Sequence, residues 1–145
     1  MDTPQNNTRN RKDRLLILKS NRGELKEFQL SWAKHKYWVM SRSQHDYNAI
    51  RLLAKGNEWS SDKQKEYASI IERLEQVQPS EKTLHVVYEH IWGYFKKTAS
   101  KSERERYKTL LNEIDISDNR MTLFLYHLAK NYNQTYLLEM RWDFL

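Results

Sequence analysis

The sequence has no cysteine, three glycines and two prolines among 145 residues. Without cysteine, this chain by itself offers no disulfide, thiolate zinc site, iron–sulfur ligation or cysteine nucleophile. So few glycines and prolines argue against a turn-rich β sandwich or barrel, and no run has the GxGxxG or GxxxxGK[ST] spacing that cradles phosphates in α/β folds. Long apolar runs are missing too. Ahead of Lys19 the only apolar patch is Leu15-Leu16-Ile17-Leu18, too short for a signal-peptide core or a transmembrane helix. A cytoplasmic protein with no membrane partner is therefore expected, in one domain, since single domains run to roughly 100–150 residues.

What is present is charge and aromatic surface. Lys and Arg number 25 against 19 Asp and Glu, a formal +6, and the apolar fraction leans on five Trp, nine Tyr and four Phe. From Arg9 to Lys55 there are 12 basic and 4 acidic residues, whereas the rest of the chain is close to balance. Residues 1–22 read as a basic, flexible N-terminal segment and residues 23–145 as the helical domain. A positive first third points to an anionic partner, nucleic acid before membrane.

Apolar spacing predicts helices almost throughout. From Glu24 to Met40, Leu25, Phe28, Trp32 and Val39 form one stripe and Leu30, Ala33, Tyr37 and Met40 a second, as in a central helix apolar on two sides. Ser43 caps the next helix, which Gly56 ends in a left-handed turn. Ser60 or Ser61 opens a helix with Tyr67, Ile70, Ile71, Leu74 and Val77 on one face, stopped before Pro79. Ser80 opens another that buries Leu84, Val87, Tyr88, Ile91 and Phe95 and runs to about Thr98 across Gly93, a residue costing about 1 kcal/mol relative to Ala. Ser102 with Glu105 has the capping-box pattern. Asp118 or Asn119 caps a helix carrying Met121, Phe124, Leu125, Leu128 and Tyr132, and Tyr136 to Trp142 reads as a short last helix. The expected fold is all-α, a single-domain bundle of six to seven helices around one aromatic-rich core.

Catalytic patterns are sparse. The histidines at 35, 45, 85, 90 and 127 include no pair at the i, i+4 spacing of a shared metal, and there is no Gly-x-Ser-x-Gly elbow. No metal and no cofactor is expected. Two basic, aromatic clusters stand out. In the first, His90-Ile91-Trp92-Gly93-Tyr94-Phe95-Lys96-Lys97, the i, i+4, i+7 spacing of His90, Tyr94 and Lys97 puts an imidazole, a phenol and a cation on one helix face. That face suits a phosphate and an unpaired base; it equally suits an amphipathic rim solvated by its lysines, with Gly93 permitting close helix packing. The second runs from Trp32 to Gln44, with Lys34, Arg42 and, further on, Arg51 directed outward while Trp32 and Val39 pack inward. Arg42 falls at the break before the next helix N-terminus, where a phosphate would also meet backbone N–H groups; a solvent-exposed guanidinium or a pair with Asp46 is the alternative.

These same segments resemble the YbgA-like family. Lys36-Tyr37-Trp38-Val39-Met40-Ser41-Arg42-Ser43-Gln44 with Tyr47, and His90-Ile91-Trp92-Gly93-Tyr94-Phe95-Lys96-Lys97, are similar to its two signature blocks; Met121 to His127 and Tyr136-Leu137 are weaker echoes. The likeness covers about residues 30–142. It departs at Leu84 and Val86, where the family form carries His and Asn, and at Arg141-Trp142-Asp143-Phe144-Leu145, which replaces a Pro-containing tail. The resemblance implies an RNA-holding role, because members also occur fused to cysteine-rich desulfidase domains that remove sulfur from thiouracil bases, where this part is thought to hold tRNA. Stand-alone members associated with photolyase genes imply a context of nucleic-acid damage or modification. The expectation is a non-catalytic tRNA-binding domain, with a separate desulfidase as a further partner. Its phosphate and base contacts would come from Lys34, Lys36, Arg42, Arg51, His90, Tyr94, Lys96 and Lys97. The alternatives are a small enzyme using His45, His90 and Tyr94 with Arg42 for acid/base work on a nucleobase or nucleotide, and an interaction module dimerising through exposed Trp38, Trp59 or Trp92.

Overall fold

The computed structural model describes the backbone from Pro4 to Leu145 and the side chains of Lys12 and of residues 22–145. Its helices are α1 (Pro4–Arg42), α2 (Gln44–Ala54), α3 (Ser61–Leu74), α4 (Glu81–Trp92), α5 (Lys101–Asn112), α6 (Arg120–Asn131) and α7 (Thr135–Leu138), with a 3-10 turn at Lys55–Asn57 and no strand among the described residues. This is the all-α, single-domain bundle expected. Helix α1 extends N-terminally beyond Glu24, where apolar periodicity begins it. Residues 1–3, and the side chains of the basic segment 1–22 apart from Lys12 and Arg22, lie outside the described residues. Among the described residues no helix is long and apolar enough to cross a membrane.

Serine caps set most boundaries. The side chains of Ser43, Ser60, Ser80 and Ser100 each accept the backbone N–H three residues on, supplying a partner that the first helical turn lacks. The capping box before α5 is Ser100 with Glu103 rather than Ser102 with Glu105, two residues earlier than the sequence pattern suggested; both pairs have the same spacing, and the chain's exit from the preceding turn selects the first. Asn119 starts α6 without a side-chain cap bond, and Asp118 instead accepts the Arg120 N–H at 3.0 Å. Gly56 takes φ +80° after α2, as expected of a glycine that ends a helix. Helix α4 stops at Trp92, short of Thr98, because the hydrogen bonds tighten after Gly93: Tyr94 N–H reaches Ile91 O and Phe95 N–H reaches Trp92 O. The last helix is only α7, and after Met140, whose N–H reaches Leu137 O, the tail runs without helical bonds.

Helix α1 is central and packs against α2, α3 and α4, while α6 joins α4, α5 and α7. Its C-terminal half is buried on successive residues, Tyr37 through Ser41, as a helix enclosed on several sides must be. Phe28 stacks on Trp59 at 4.0 Å and meets the edge of Tyr67 at 4.8 Å; Trp92 stacks on Tyr107 at 4.3 Å. Trp38, Trp59 and Trp92 are all buried, so none provides the exposed apolar patch of the interaction reading. Leu30, placed on the second buried stripe by its spacing, is instead 66% exposed, at the edge of a hollow that it shares with Tyr136.

Candidate functional site

Helices α1 and α4 pack side by side, and α7, packed on α6, brings Tyr136 to their C-terminal junction. Tyr37 projects from α1, His90 from α4, Tyr94 from the tightened turn after α4, and Tyr136 from α7. The Tyr37 and Tyr94 hydroxyls share a 3.2 Å hydrogen bond, and their rings meet edge to face at 6.4 Å. Tyr94 and Tyr136 are nearly parallel, 14° apart with centroids at 6.4 Å, and the His90 ring stands 6.4 Å from Tyr37. Burial, the bond to Tyr94 and the neighbouring phenols Tyr94, Tyr136 and Tyr47 hold Tyr37 well above the usual phenol range. Tyr136 is raised by burial and by Tyr94 and Tyr47. These phenols stay neutral in ordinary buffers and present ring faces and hydroxyls rather than a base.

His90 donates Nδ1–H to Val86 O at 2.9 Å, the usual exposed partner one turn back. That bond leaves Nε2 outward, an acceptor when the ring is neutral and a donor when it is protonated.

Cations flank these rings. Lys36 Nζ lies 5.4 Å from the Tyr37 ring centre. Lys34 is exposed and shares a hollow with Tyr136, Leu30, Ala33 and the acidic Glu139. On the other side His90 opens onto a groove of about 560 Å³ lined by Glu89, Trp92, Gly93, Lys96, Tyr107 and Leu111. Lys97 is exposed on the turn beyond, off the regular helix, so the i, i+7 alignment with His90 is lost and Lys96 takes the place beside it. Arg51 sits over Tyr47 at 5.9 Å, beside a second groove formed with Trp32, Asn48, Leu52 and Lys55.

Two of the expected site residues stand elsewhere. Arg42 points inward: its guanidinium stacks on Trp38 at 4.4 Å and its Nη1 donates to Ser41 Oγ and to Phe144 O, each at 3.0 Å. Burial and the charge of Arg141 depress its pKa from the usual guanidinium value. The neighbouring helix start is filled by Ser43, which takes the Asp46 N–H, while Asp46 pairs with Arg73 at 2.7 Å. His45 is exposed on the first turn of α2 and has no ring contact or hydrogen bond to His90 or Tyr94. Among the described residues no cluster of three or more His, Asp and Glu is placed to hold a metal.

Spacing alone missed Tyr37, Tyr136, Glu89 and Tyr107 as members of this surface. Tyr37 belongs to a signature block and Tyr136 to one of the weaker echoes, and a phenol at each of four separated positions was the available signal. No curated protein and no solved structure matches the chain. Residues 36–142, the larger part of the chain, match the family described as Protein of unknown function (DUF1722), and they contain Tyr37, Tyr47, His90, Tyr94 and Tyr136, the residues that meet at this junction. The chain belongs to that family, the YbgA-like family whose signature blocks it carries.

Proposed function

We propose that this protein is a non-catalytic, cytoplasmic RNA-binding domain whose partner is structured RNA, tRNA first, in thiolated-base metabolism or the response to nucleic-acid damage, alongside a separate desulfidase. The observation that carries the reading is a strip at the α1–α4 junction where the exposed rings of Tyr94, Tyr136 and His90, backed by the buried Tyr37, lie near Lys34, Lys36 and Lys96, with Glu139 and Glu89 at its margins. Ammonium groups along such a strip neutralise phosphates and release counterions. Exposed phenol and imidazole faces accept bases that are already unstacked, as in RNA loops, and a duplex does not offer those. The choice of tRNA and the desulfidase context rest on the family resemblance.

The test is a salt titration of binding to bulk tRNA and to a DNA duplex of similar length. Wild type should bind tRNA more tightly than duplex. The Lys34→Ala/Lys36→Ala and Lys96→Ala/Lys97→Ala doubles should each weaken tRNA binding about tenfold and flatten the log K against log salt slope by about two. Equal, weak binding of both nucleic acids, with variants indistinguishable from wild type, would sink the reading.

A further inference from the structure

The groove beside Gly93 has features that the bundle itself does not require. An added Cβ at Gly93 would meet no neighbouring helix; its nearest atoms are the carbonyl oxygens of its own turn, His90 O at 3.1 Å and Glu89 O at 3.7 Å. The bare backbone therefore serves the open side rather than interhelical packing. Tyr107, 7% exposed, lines this groove, and its hydroxyl is buried with no hydrogen-bond partner within the protein. An unpartnered buried hydroxyl costs on the order of 1–3 kcal/mol, so a site that retains one calls for a ligand or a water. Burial and the Glu89 carboxylate push this phenol up to about 12, which keeps it a neutral donor on the Glu89 side of the groove.

Around that hydroxyl the walls carry opposite charges. Glu89 and Lys96 both line the groove, on either side of Gly93 in the chain. Glu89 is exposed, and its one ion-pair contact among the described residues is His85, 3.5 Å away, too long for a firm bond. Lys96 Nζ has no ion-pair partner among the described residues, and Arg104 Nη2 reaches the Lys96 carbonyl at 3.3 Å, bringing a second cation to that end. The ligand this suits is flat where it crosses Gly93, has N–H donors at one end and is anionic at the other. A carboxylate takes two adjacent N–H donors best, and among the four bases only guanine presents them, N1–H and N2–H beside O6. A hydroxyl next to the carboxylate supplies the donor that O6 needs.

We propose that this groove is a pocket for one guanine nucleotide, entered by an unpaired guanosine of bound RNA: the base lies over Gly93 with its N1–H and N2–H edge on Glu89 and O6 toward Tyr107, and the phosphate lies at Lys96. This rests on the RNA-binding reading for the source of the nucleotide, not for the chemistry of the pocket. The volume, about 560 Å³, falls in the range of roughly 300–1,000 Å³ usual for small-ligand sites.

The experiment has two arms. In the first, GMP, AMP, CMP and UMP are titrated calorimetrically into the full chain. GMP should bind about tenfold or more tighter than the others. Glu89→Gln should erase the preference, Gly93→Leu should block binding, and Tyr107→Phe, which keeps the ring stacked on Trp92, should weaken GMP severalfold; circular dichroism confirms that each variant is folded. In the second arm, RNA hairpins differing only in one loop base are compared, and loop G should bind best. If the four nucleotides bind alike, or none binds, the pocket is overturned. Salt-dependent hairpin binding that ignores the loop base would also remove the pocket and leave the RNA reading standing. A Glu89-dependent GMP preference with no binding of any RNA supports the pocket as a free-nucleotide site and removes the RNA reading instead.

Discussion

His35 sits half-buried on α1, its Nδ1–H donated to Ser31 O at 2.9 Å, while Ser31 Oγ bonds the Tyr67 hydroxyl at 2.6 Å. Burial lowers its pKa from the ordinary 6.5; the Ser31 carbonyl opposes this, Arg141 and Lys34 reinforce it, and Glu75 opposes it. A histidine held below its unfolded value contributes full stability above that value. As pH falls below 6.5 the unfolded chain takes up a proton that the native ring resists, so stability is lost until the native ring also protonates. Urea unfolding at a series of pH values should show this fall, and His35→Gln should remove its share of the slope. Asp46 behaves in the same sense at lower pH. Burial opposes its ionisation, but the hydrogen bonds from Arg73 and Ser43 prevail and hold it below the usual 3.8. Its contribution is present above 3.8 and fades as pH drops through the lowered value. Arg73→Ala should cost roughly 1 kcal/mol near neutral pH, a figure kept small by the exposure of Arg73.

At the scale of elements the glycines separate backbone need from chance. Gly56 and Gly23 each have open space where a Cβ would go, yet Gly56 is at φ +80° and Gly23 lies inside α1. Gly56→Ala should therefore destabilise by about 1 kcal/mol, because an L side chain is strained there. Gly23→Ala should leave the protein unchanged or stabilise it by up to about 1 kcal/mol. Midpoints of urea unfolding for the two variants, moving in opposite directions, are the check. The caps that sequence located, Ser43, Ser60 and Ser80, were legible because each precedes a strong apolar repeat. The end of α4 was not legible: Tyr94 to Thr98 continue the apolar spacing, and only the i to i+3 bonds after Gly93 end the helix. Likewise, Tyr136 to Trp142 has the composition of a helix, but Arg141 N–H is claimed by Lys34 O at 2.9 Å, which draws the chain off the helical path.

Across the whole molecule the C-terminal tail holds α1 and α3 together. The Arg141 guanidinium lies over Trp38 at 3.8 Å and is bonded to both oxygens of Glu75, at 2.6 and 2.9 Å, and of Asp143, at 2.7 and 2.9 Å. Phe144 is fully buried, Arg42 donates to its carbonyl, and Trp142 Nε1–H donates to Leu137 O at 2.7 Å. Arg141→Ala should loosen the tail and cost roughly 1–2 kcal/mol, since the group is partly screened by solvent. In hydrogen exchange, peptides covering 139–145 and the C-terminal turn of α1 should lose protection while α5, remote from the tail, keeps it. In this clasp Arg42 meets a carbonyl and a tryptophan face rather than a phosphate.

Fold class, the number of helices and most of their starts follow from the sequence by itself, because apolar periodicity and serine caps act within a few residues. The basic excess of the first third and the family signature blocks were also legible. Only tertiary packing decided which residues share the strip. Tyr37, Tyr94 and Tyr136 lie far apart in the chain and meet because α4 packs against α1 and because α7, packed on α6, brings Tyr136 beside Tyr94. The same packing turned Arg42 inward and left Glu89, Gly93, Lys96 and the unpartnered Tyr107 hydroxyl around one groove. Long-range proximity of this kind is set by which helix faces exclude water together, and local spacing contains no record of it.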